Sequence, residues 1–231
     1  MAFDFINGEI LLINKPFGWT SFDAVKKVRN LIKRKTRIKN IKVGHAGTLD
    51  PLASGLLIIC TGKFTKRIDE FQGQEKEYTG SFFIGATTPS YDKESEVNQV
   101  FETGHISEKL LKETAKKFTG EQDQRPPTFS AVNVNGTRAY LKARNKEDFE
   151  LPAKRINIPE FEIVNPNLPE MEFRVVCSKG TYIRALARDY GQALNSGAYL
   201  TSLCRTRIGS FSLSDSMTLD DFEGKISAEE I

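Results

Sequence analysis

The residues best suited to chemistry lie in one short segment, 44–55, which reads GHAGTLDPLASG. It holds a single carboxylate, Asp50, on backbone that glycine and proline are able to bend sharply. A residue before proline is disfavoured in a helix, so Asp50 is predicted to lie in a loop. The apolar stretch GLLIICTG that follows is typical of a short buried strand. An acid on a rigid loop beside a central strand suits catalysis, although an Asp-Pro pair flanked by glycines is also an ordinary turn.

Three further segments belong with the first: KPFGWTS at 15–21, KEYTGSFFIG at 76–85 and CSKGTYIRALARDYG at 177–191. With these motifs in this order, the chain closely resembles the bacterial tRNA pseudouridine-55 synthases, the TruB family, from about residue 9 to about residue 220. The resemblance implies an isomerase that converts uridine to pseudouridine at position 55 in the T-loop of tRNA. It also implies an Asp nucleophile and a target base that is flipped out of the loop.

The resemblance assigns catalytic roles to Asp50, Tyr78 and Arg184. Asp50 is the nucleophile, Arg184 pairs with it and keeps it ionised, and Tyr78 stacks on the target base and helps to remove the proton from carbon 5. The residue types alone leave alternatives open. A strand tyrosine is most often core packing, and an Asp–Arg pair is often purely structural. Arg188 lies one turn along the same helix face and suits the role of Arg184, and Asp189 is a second acid that Arg184 can pair with.

The resemblance also implies five residues that bind substrate. His45 lines or fills the place vacated by the flipped base, and Tyr182 and Leu203 line the uracil pocket. Lys66 and Lys179 are expected to contact phosphate. Each has a simpler interpretation as a loop histidine, a core residue or a surface lysine.

No cofactor is expected, because the isomerisation involves no redox change and no transfer to a second molecule. Two histidines and the absence of a CxxC pair give little support for a metal site. The segment GLLIICTGK resembles a phosphate-binding P-loop only superficially. Six residues separate Gly55 from Gly62 where four are needed, and Phe64 stands where Ser or Thr is required, so no nucleotide cofactor is expected.

The charge is distributed unevenly along the chain. It has 33 basic and 30 acidic residues, a net charge of +3. Nine of the basic residues fall between Lys26 and Lys42, where there is no acid. Such a block, just before the Asp50 loop, fits either a solvated helix face or a surface for the RNA backbone. We favour RNA and expect the block to contribute to tRNA binding.

Size and composition are those of an ordinary globular protein of 231 residues. The sequence predicts a single catalytic domain over 1–231, with no C-terminal PUA domain evident. The apolar runs are too short for a membrane span, the N-terminus has no basic signal-peptide region, and three widely spaced cysteines fit reduced thiols. We therefore expect a cytoplasmic monomer whose partner is the T-stem-loop of tRNA. Two other classes remain open: a non-catalytic tRNA-binding or folding protein, and a synthase of related fold that acts on another RNA.

Helices and strands are interspersed without a regular βαβ period, which predicts an α+β fold with a mixed, largely antiparallel central sheet and flanking helices, the pseudouridine synthase fold of the family it resembles. A helix is expected after Thr20 or Ser21, with its core face formed by Phe22, Val25, Val28, Leu31 and Ile32. Two more are expected at 107–118 and 182–194. Strands are expected at 8–14, 55–61, 77–87, 154–164, 170–178 and 199–208.

Overall fold

The computed structural model describes residues 3–130, 132–134, 136–145, 147 and 149–228. The chain divides into two compact units. Unit 1 combines Met1–Tyr78 with Leu203–Ile231, and unit 2 is Thr79–Ser202. The prediction of a single catalytic domain remains a prediction.

The described strands and helices follow the predicted order. The strands are β1 Ile10–Lys15, β2 Val43–His45, β3 Ser54–Thr61, β4 Lys76–Ile84, β5 Ala86–Thr87, β6 Gln99–Val100, β7 Gly120–Gln124, β8 Asn133–Val134, β9 Thr137–Arg138, β10 Lys154–Ile158, β11 Glu160–Asn165, β12 Glu170–Cys177, β13 Ala198–Ile208 and β14 Phe211–Ser212. The helices are α1 Ser21–Thr36, α2 Ile68–Gly73, α3 Glu108–Lys117, α4 Ala139–Arg144, α5 Ile183–Ala193 and α6 Leu219–Ala228, with short 3-10 turns at Gly62–Arg67 and Leu213–Asp215.

An eight-stranded sheet has the order β1-β3-β13-β4-β12-β11, with β2 on β3 and β14 on β13. In unit 1, β1 and β2 run antiparallel to β3, whereas β13 pairs with it in parallel through Cys204–Ser54 and Arg205–Gly55. In unit 2, β11 and β12 are antiparallel. The chain passes between the units along β4 and β13. The sheet is mixed and largely antiparallel, which confirms the predicted α+β fold.

Strand β3 lies at the centre of unit 1, because seven of its eight residues are buried. Alternate side chains enter two apolar clusters. Leu57 and Ile59 join the cluster that holds the inner face of α1 together with Phe222 and Ile226 of α6. Leu56, Ile58 and Cys60 join the second cluster. A strand buried on both faces explains why its sequence is a continuous apolar run.

Helix α1 begins as predicted, with a capping box between Thr20 and Asp23. The prediction that Phe22 belongs to its core face is wrong, because this side chain is 61% exposed. Ser21 takes the buried position of the first turn, where its hydroxyl bonds to the backbone of Leu49. Each helical residue advances by about 100°, so Phe22 is turned away from the core formed by Val25 and its neighbours.

In unit 2, the helices α3 and α5 occupy the predicted positions. Tyr190 of α5 is buried, and its hydroxyl donates to the Leu111 carbonyl of α3 over 2.8 Å. The strand expected at 154–164 is divided into β10 and β11, which flank Pro159. Proline lacks the N–H that a continuous ladder requires, and this accounts for the break. The sequence Asn135-Gly136 predicts a hairpin turn. Asn135 lies outside the described residues, and the strands β8 and β9 on either side of it pair antiparallel.

All three cysteines are free thiols on strands, as the sequence predicts for reduced cysteines. Among the helices in the described part of the chain, none combines the length and the apolar character that a membrane crossing requires.

The close approach of β3 and β13 depends on Gly55, whose φ is +102°. A Cβ at this position would lie 2.4 Å from the Arg205 carbonyl oxygen and 2.8 Å from its nitrogen. We expect Gly55→Ala to lower the free energy of unfolding by about 2 kcal/mol or more, because backbone must move and the residue remains strained. Gly73→Ala is the matched control, since nothing lies within 4 Å of its Cβ. Equal stability of the two variants in urea unfolding would contradict this account.

Candidate active site

Hydrogen bonds from two sides hold the loop that carries Asp50. On one side, the Ser21 hydroxyl accepts from the Leu49 N–H over 2.8 Å and contacts the Leu49 carbonyl at 3.1 Å. On the other, the Gly18 N–H donates to the Pro51 carbonyl over 2.9 Å. The Ala53 N–H closes the turn on the Asp50 carbonyl over 3.1 Å. The partly exposed Asp50 carboxylate therefore sits on an anchored loop rather than a free turn.

Arg205 on β13 ties the start of the same loop to β3. Its side chain is almost fully buried, and its guanidinium donates to the Leu56 carbonyl over 2.8 Å and to the Gly47 carbonyl over 3.0 Å. Gly47 has a φ of +99°, and a Cβ there would lie 3.5 Å from the guanidinium. A backbone angle that favours glycine thus lets this carbonyl meet a buried cation.

Lys15, at the end of β1, is a second buried cation of the site. Its ammonium donates to the Pro16 carbonyl over 3.0 Å and to the Trp19 carbonyl over 2.6 Å. The pKa of Lys15 is lowered to about 8, mainly by burial, with the charge of Arg205 acting in the same direction and the Asp50 carboxylate in the opposite one. The ammonium is therefore still charged at neutral pH and attracts Asp50.

His45 ends β2 opposite Ile59 of β3. Burial lowers the pKa of His45 below its usual value of 6.5, and the charge of Arg205 adds to the effect. The imidazole is therefore neutral at pH 7, which suits contact with an uncharged base or ribose better than with a phosphate.

The other site residues predicted in unit 1 lie on neighbouring elements. Tyr78 is nearly buried on β4. Leu203 is half-buried on β13, directly before the residue that pairs with Ser54. Lys66 is exposed in the 3-10 turn Gly62–Arg67. Unit 1 thus places His45 at the end of the strand that precedes the Asp50 loop and Leu203 beside the start of the strand that follows it, while the exposure of Lys66 agrees with either a phosphate contact or a surface lysine.

In unit 2, Arg184 is buried near the start of α5 and forms an ion pair with the buried Asp92, with 3.5 Å between Nε and Oδ2. It also donates to the carbonyls of Ser90 and Phe129. Asp189, the alternative partner considered from the sequence, lies instead 2.7 Å from the side chain of Arg188. The pairing of Arg184 with Asp50 remains a prediction.

Tyr182 and Lys179 precede α5 in the same unit. Tyr182 is the residue before the first turn of the helix, and the side-chain amide of Gln124 binds both its N–H and its carbonyl, over 2.8 and 3.1 Å. This fixes the backbone from which the tyrosine ring projects. Lys179 is exposed. The roles assigned to both residues remain predictions.

The sequence pattern described as "TruB family pseudouridylate synthase (N terminal domain)" matches residues 33–183. This range is more than half of the chain and contains the Asp50 loop, Tyr78 and Tyr182. The chain belongs to the TruB family of pseudouridylate synthases. It is therefore an enzyme, an isomerase.

Curated relatives match almost end to end. One from Flavobacterium johnsoniae, named tRNA pseudouridine synthase B, is 56% identical over 221 residues, covering 95% of this chain and 96% of its own. One of the same name from Phocaeicola vulgatus is 54% identical over 228 residues, covering 99% of this chain and 97% of its own.

Solved structures share the fold. A chain from a structure titled "Crystal Structure of a Cbf5-Nop10-Gar1 Complex" is 28% identical with a TM-score of 0.70. Another, from "Structure of H/ACA RNP bound to a substrate RNA containing 2'-deoxyuridine", is 26% identical with a TM-score of 0.67. They cover 93% and 96% of this enzyme, which spans only about half of either chain, 53% and 56%.

Two residues that shape the site, Lys15 and Arg205, are not among those predicted from the sequence. Lys15 opens the KPFGWTS motif, so a signal was present, but the motif does not reveal which groups the ammonium meets. Arg205 lies within an ordinary strand pattern, and its carbonyl partners are about 150 residues away along the chain.

We expect Lys15→Met to lower the free energy of unfolding at pH 7 by about 2 kcal/mol, because two carbonyls lose a charged donor. The exposed Lys63, which bonds only to the Asn7 side chain among the described groups, provides the control Lys63→Met, expected to change stability by less than about 0.5 kcal/mol. Urea unfolding of both variants is the measurement.

A comparison of wild type with Lys15→Met also tests the lowered pKa of Lys15. Its ordinary pKa of about 10.4 applies to the unfolded chain, and the folded value is about 8. Between these values the unfolded state binds more protons, so the stability of wild type relative to Lys15→Met should rise with pH from about 8 to about 10.4. A difference in the free energy of unfolding between the two proteins that stays constant over this pH range would contradict the lowered pKa of Lys15.

Proposed function

We propose that the enzyme acts on tRNA and isomerises the uridine at position 55 in the T-loop to pseudouridine. Support for tRNA comes from curated relatives at 53–56% identity that are named tRNA pseudouridine synthase B. One fold relative is described as bound to a substrate RNA, which supports an RNA substrate in general. The observation that carries the proposal is the anchored Asp50 loop in a chain of this family.

The reaction breaks the bond between N1 of uracil and the ribose, turns the base and rejoins it to the ribose through carbon 5. Carbon 5 loses its proton and N1 ends with one, so no atom or electron is gained or lost. Asp50 supplies the required group, because a carboxylate is able to attack the sugar or the base, or to take a proton in an elimination. All three routes need an ionised carboxylate in a fixed position.

Lys15 and Arg205 are both buried cations near this loop. The pKa of Lys15 is lowered mainly by its burial and further by the charge of Arg205, while the Asp50 carboxylate acts in the opposite direction. The Asp50 carboxylate and the Lys15 ammonium therefore attract each other. Arg184 is proposed as a further partner of Asp50, from the second unit.

The uracil must leave the stack of the RNA loop before the carboxylate reaches it. Extrusion costs a few kcal/mol, which contacts to the flipped base must offset. We propose that Tyr78 stacks on this base and helps to remove the carbon 5 proton, and that Tyr182 and Leu203 line the uracil pocket. The neutral His45 then lines the space that the base has left.

We expect Asp50→Asn to lower kcat at least about 10³-fold while RNA affinity stays near that of wild type, because the amide keeps the shape but is not a nucleophile. Asp69→Asn, at an exposed carboxylate of α2 in the same unit, is the control and should retain activity. The assay complements a deletion strain with each variant and maps pseudouridine in its tRNA by mass spectrometry.

The mapping also tests the substrate. Pseudouridine that disappears from position 55 in the deletion strain and returns with wild type but not with Asp50→Asn supports the proposal. Loss at another tRNA position or in ribosomal RNA identifies a different synthase, and unchanged RNA identifies a non-catalytic protein. An active Asp50→Asn enzyme would remove Asp50 from the mechanism.

We propose in addition that part of the basic segment, the block of basic residues between Lys26 and Lys42, binds the RNA backbone. An open cavity of about 540 Å³ in unit 1 is lined by the basic side chains Arg29, Lys33, Lys39 and Lys42. Arg29 is held there by a bond to the Val43 carbonyl, 2.9 Å away. Within the described ranges, no carboxylate lies within 4 Å of the ammonium groups of the three lysines. These positive charges are thus available to phosphates.

Other basic residues of the segment are engaged elsewhere. Lys27 and Arg34 both pair with Glu223 of α6 at 2.5 Å, and Lys35 donates to the Ser227 carbonyl over 3.1 Å. Helix α1 thus presents one set of cations to α6 and another to the cavity. Lys66, next in sequence to the cavity residue Thr65, extends the exposed basic surface.

This division allows a matched test with three charges removed in each variant. Replacing Lys33, Lys39 and Lys42 by Gln should weaken tRNA binding and reduce its slope against log salt by about 2, since each phosphate contact contributes about 0.7 to 0.9. Replacing Lys27, Arg34 and Lys35 by Gln should change the slope much less. Equal slopes for the two triple variants, measured by filter binding, would contradict a specific role of the cavity.

A further inference from the structure

Three aromatic side chains near the Asp50 loop are exposed and have no role in the chemistry above. Phe17 is 65% exposed, Trp19 37% and Phe22 61%. No other Phe or Trp in the described part of the chain exposes more than about a third of its surface. All three fall within six residues, between β1 and the first turn of α1. We call this the aromatic segment, 17–22.

The exposure does not result from a loose connection. The Lys15 ammonium binds the carbonyls on either side of residues 17 and 18, those of Pro16 and Trp19. Gly18 has a φ of +83°, and its N–H donates to the Pro51 carbonyl over 2.9 Å. The capping box of Thr20 fixes the end of the segment. The backbone is therefore held against the residue that follows Asp50, while the rings face solvent.

Single exposed apolar residues are normal, but a group of large rings beside a reacting carboxylate indicates an interaction surface. Phe22 lies on the polar side of α1, one turn before the exposed Lys26. Rings next to cations are typical of surfaces for single-stranded nucleic acid, because rings stack on bases and cations meet the phosphates.

We propose that Phe17, Trp19 and Phe22 stack on nucleotides that flank the target uridine in the substrate RNA. The inference rests on the proposed function, since it takes an RNA loop as the ligand. Extrusion of one base deprives its neighbours of a stacking partner. Aromatic rings fixed beside Asp50 replace that partner, so they favour the opened loop and place the uridine at the carboxylate.

The chain has a single tryptophan, so its fluorescence reports on Trp19 alone. The probe is an unmodified full-length tRNA transcript, titrated into the Asp50→Asn protein so that no turnover occurs. We expect saturating RNA to change the Trp19 emission and to protect the ring from quenching by acrylamide. Unaltered emission and accessibility at saturation would overturn the proposal.

Alanine variants measure what each ring contributes. Phe17→Ala, Trp19→Ala and Phe22→Ala should each weaken binding about fivefold or more, because a base loses its stacking partner. Trp19→Phe should restore most of the affinity lost in Trp19→Ala. Val164→Ala, at a side chain as exposed as Phe22 but aliphatic, should bind like the parent. Wild-type affinity in all three alanine variants would overturn the proposal.

Two further measurements distinguish stacking from an electrostatic or structural role of the rings. Stacking releases no counterions, so the slope of affinity against log salt should not change in the alanine variants, and their thermal midpoints should stay near that of the parent. Weaker binding that follows a fall in thermal midpoint would indicate a structural role and overturn the proposal. If the RNA-free parent protein self-associates and the alanine variants do not, the aromatic segment binds a second copy of the chain instead of RNA, and the proposal is overturned.

The result can be separated from that for the proposed function. Affinity and fluorescence are measured without turnover, whereas the role of Asp50 is judged from pseudouridine formation. An active Asp50→Asn enzyme would refute the nucleophile, and the alanine variants, compared with a parent that carries the same substitution, would still report on stacking. If Asp50→Asn fails to form pseudouridine but saturating RNA leaves the Trp19 emission unchanged, the stacking proposal is refuted and the proposed function is not.

Discussion

The geometry of unit 1 depends on the buried guanidinium of Arg205. It lies on β13, the one strand shown to pair with β3 in parallel, and it binds carbonyls at the beginning of the loop and of the strand that follows it. A buried cation without partners is costly, so these two bonds are needed for the chain to fold around it. The same bonds fix the backbone on either side of Asp50. Stability and the placement of the carboxylate are thus coupled through one side chain.

The electrostatics of the site follow from this arrangement. Lys15 and Arg205 place two positive charges in the interior, and the carboxylates of Asp50 and Asp23 both act on the Lys15 ammonium, while burial and the charge of Arg205 lower the pKa of His45. The site therefore combines a carboxylate near a buried ammonium with a neutral imidazole. A carboxylate beside a buried ammonium suits the nucleophilic role that we propose for Asp50.

Much of the local structure was predictable. The apolar run of β3 and the residues that cap α1 are local signals in the sequence, and β4 was expected as a strand at 77–87. Phe22 shows where such a signal fails. An apolar residue at roughly the right spacing was predicted to be core, but Ser21 bonds to Leu49, far along the chain, and thereby selects which side of the first turn is buried. The spacing of apolar residues along the helix does not indicate which side of this turn is buried.

The sequence by itself determined the family, the order of the elements and the loop that carries Asp50, because these depend on local propensity and on short motifs. Only the tertiary structure decided that Lys15 and Arg205 are the buried cations of the site. It alone divided the basic segment into residues that face α6 and residues that line a cavity. Those outcomes depend on contacts between residues as far as 196 positions apart, such as Lys27 with Glu223. The identity of a residue states which charge it carries, but folding decides which charge it meets.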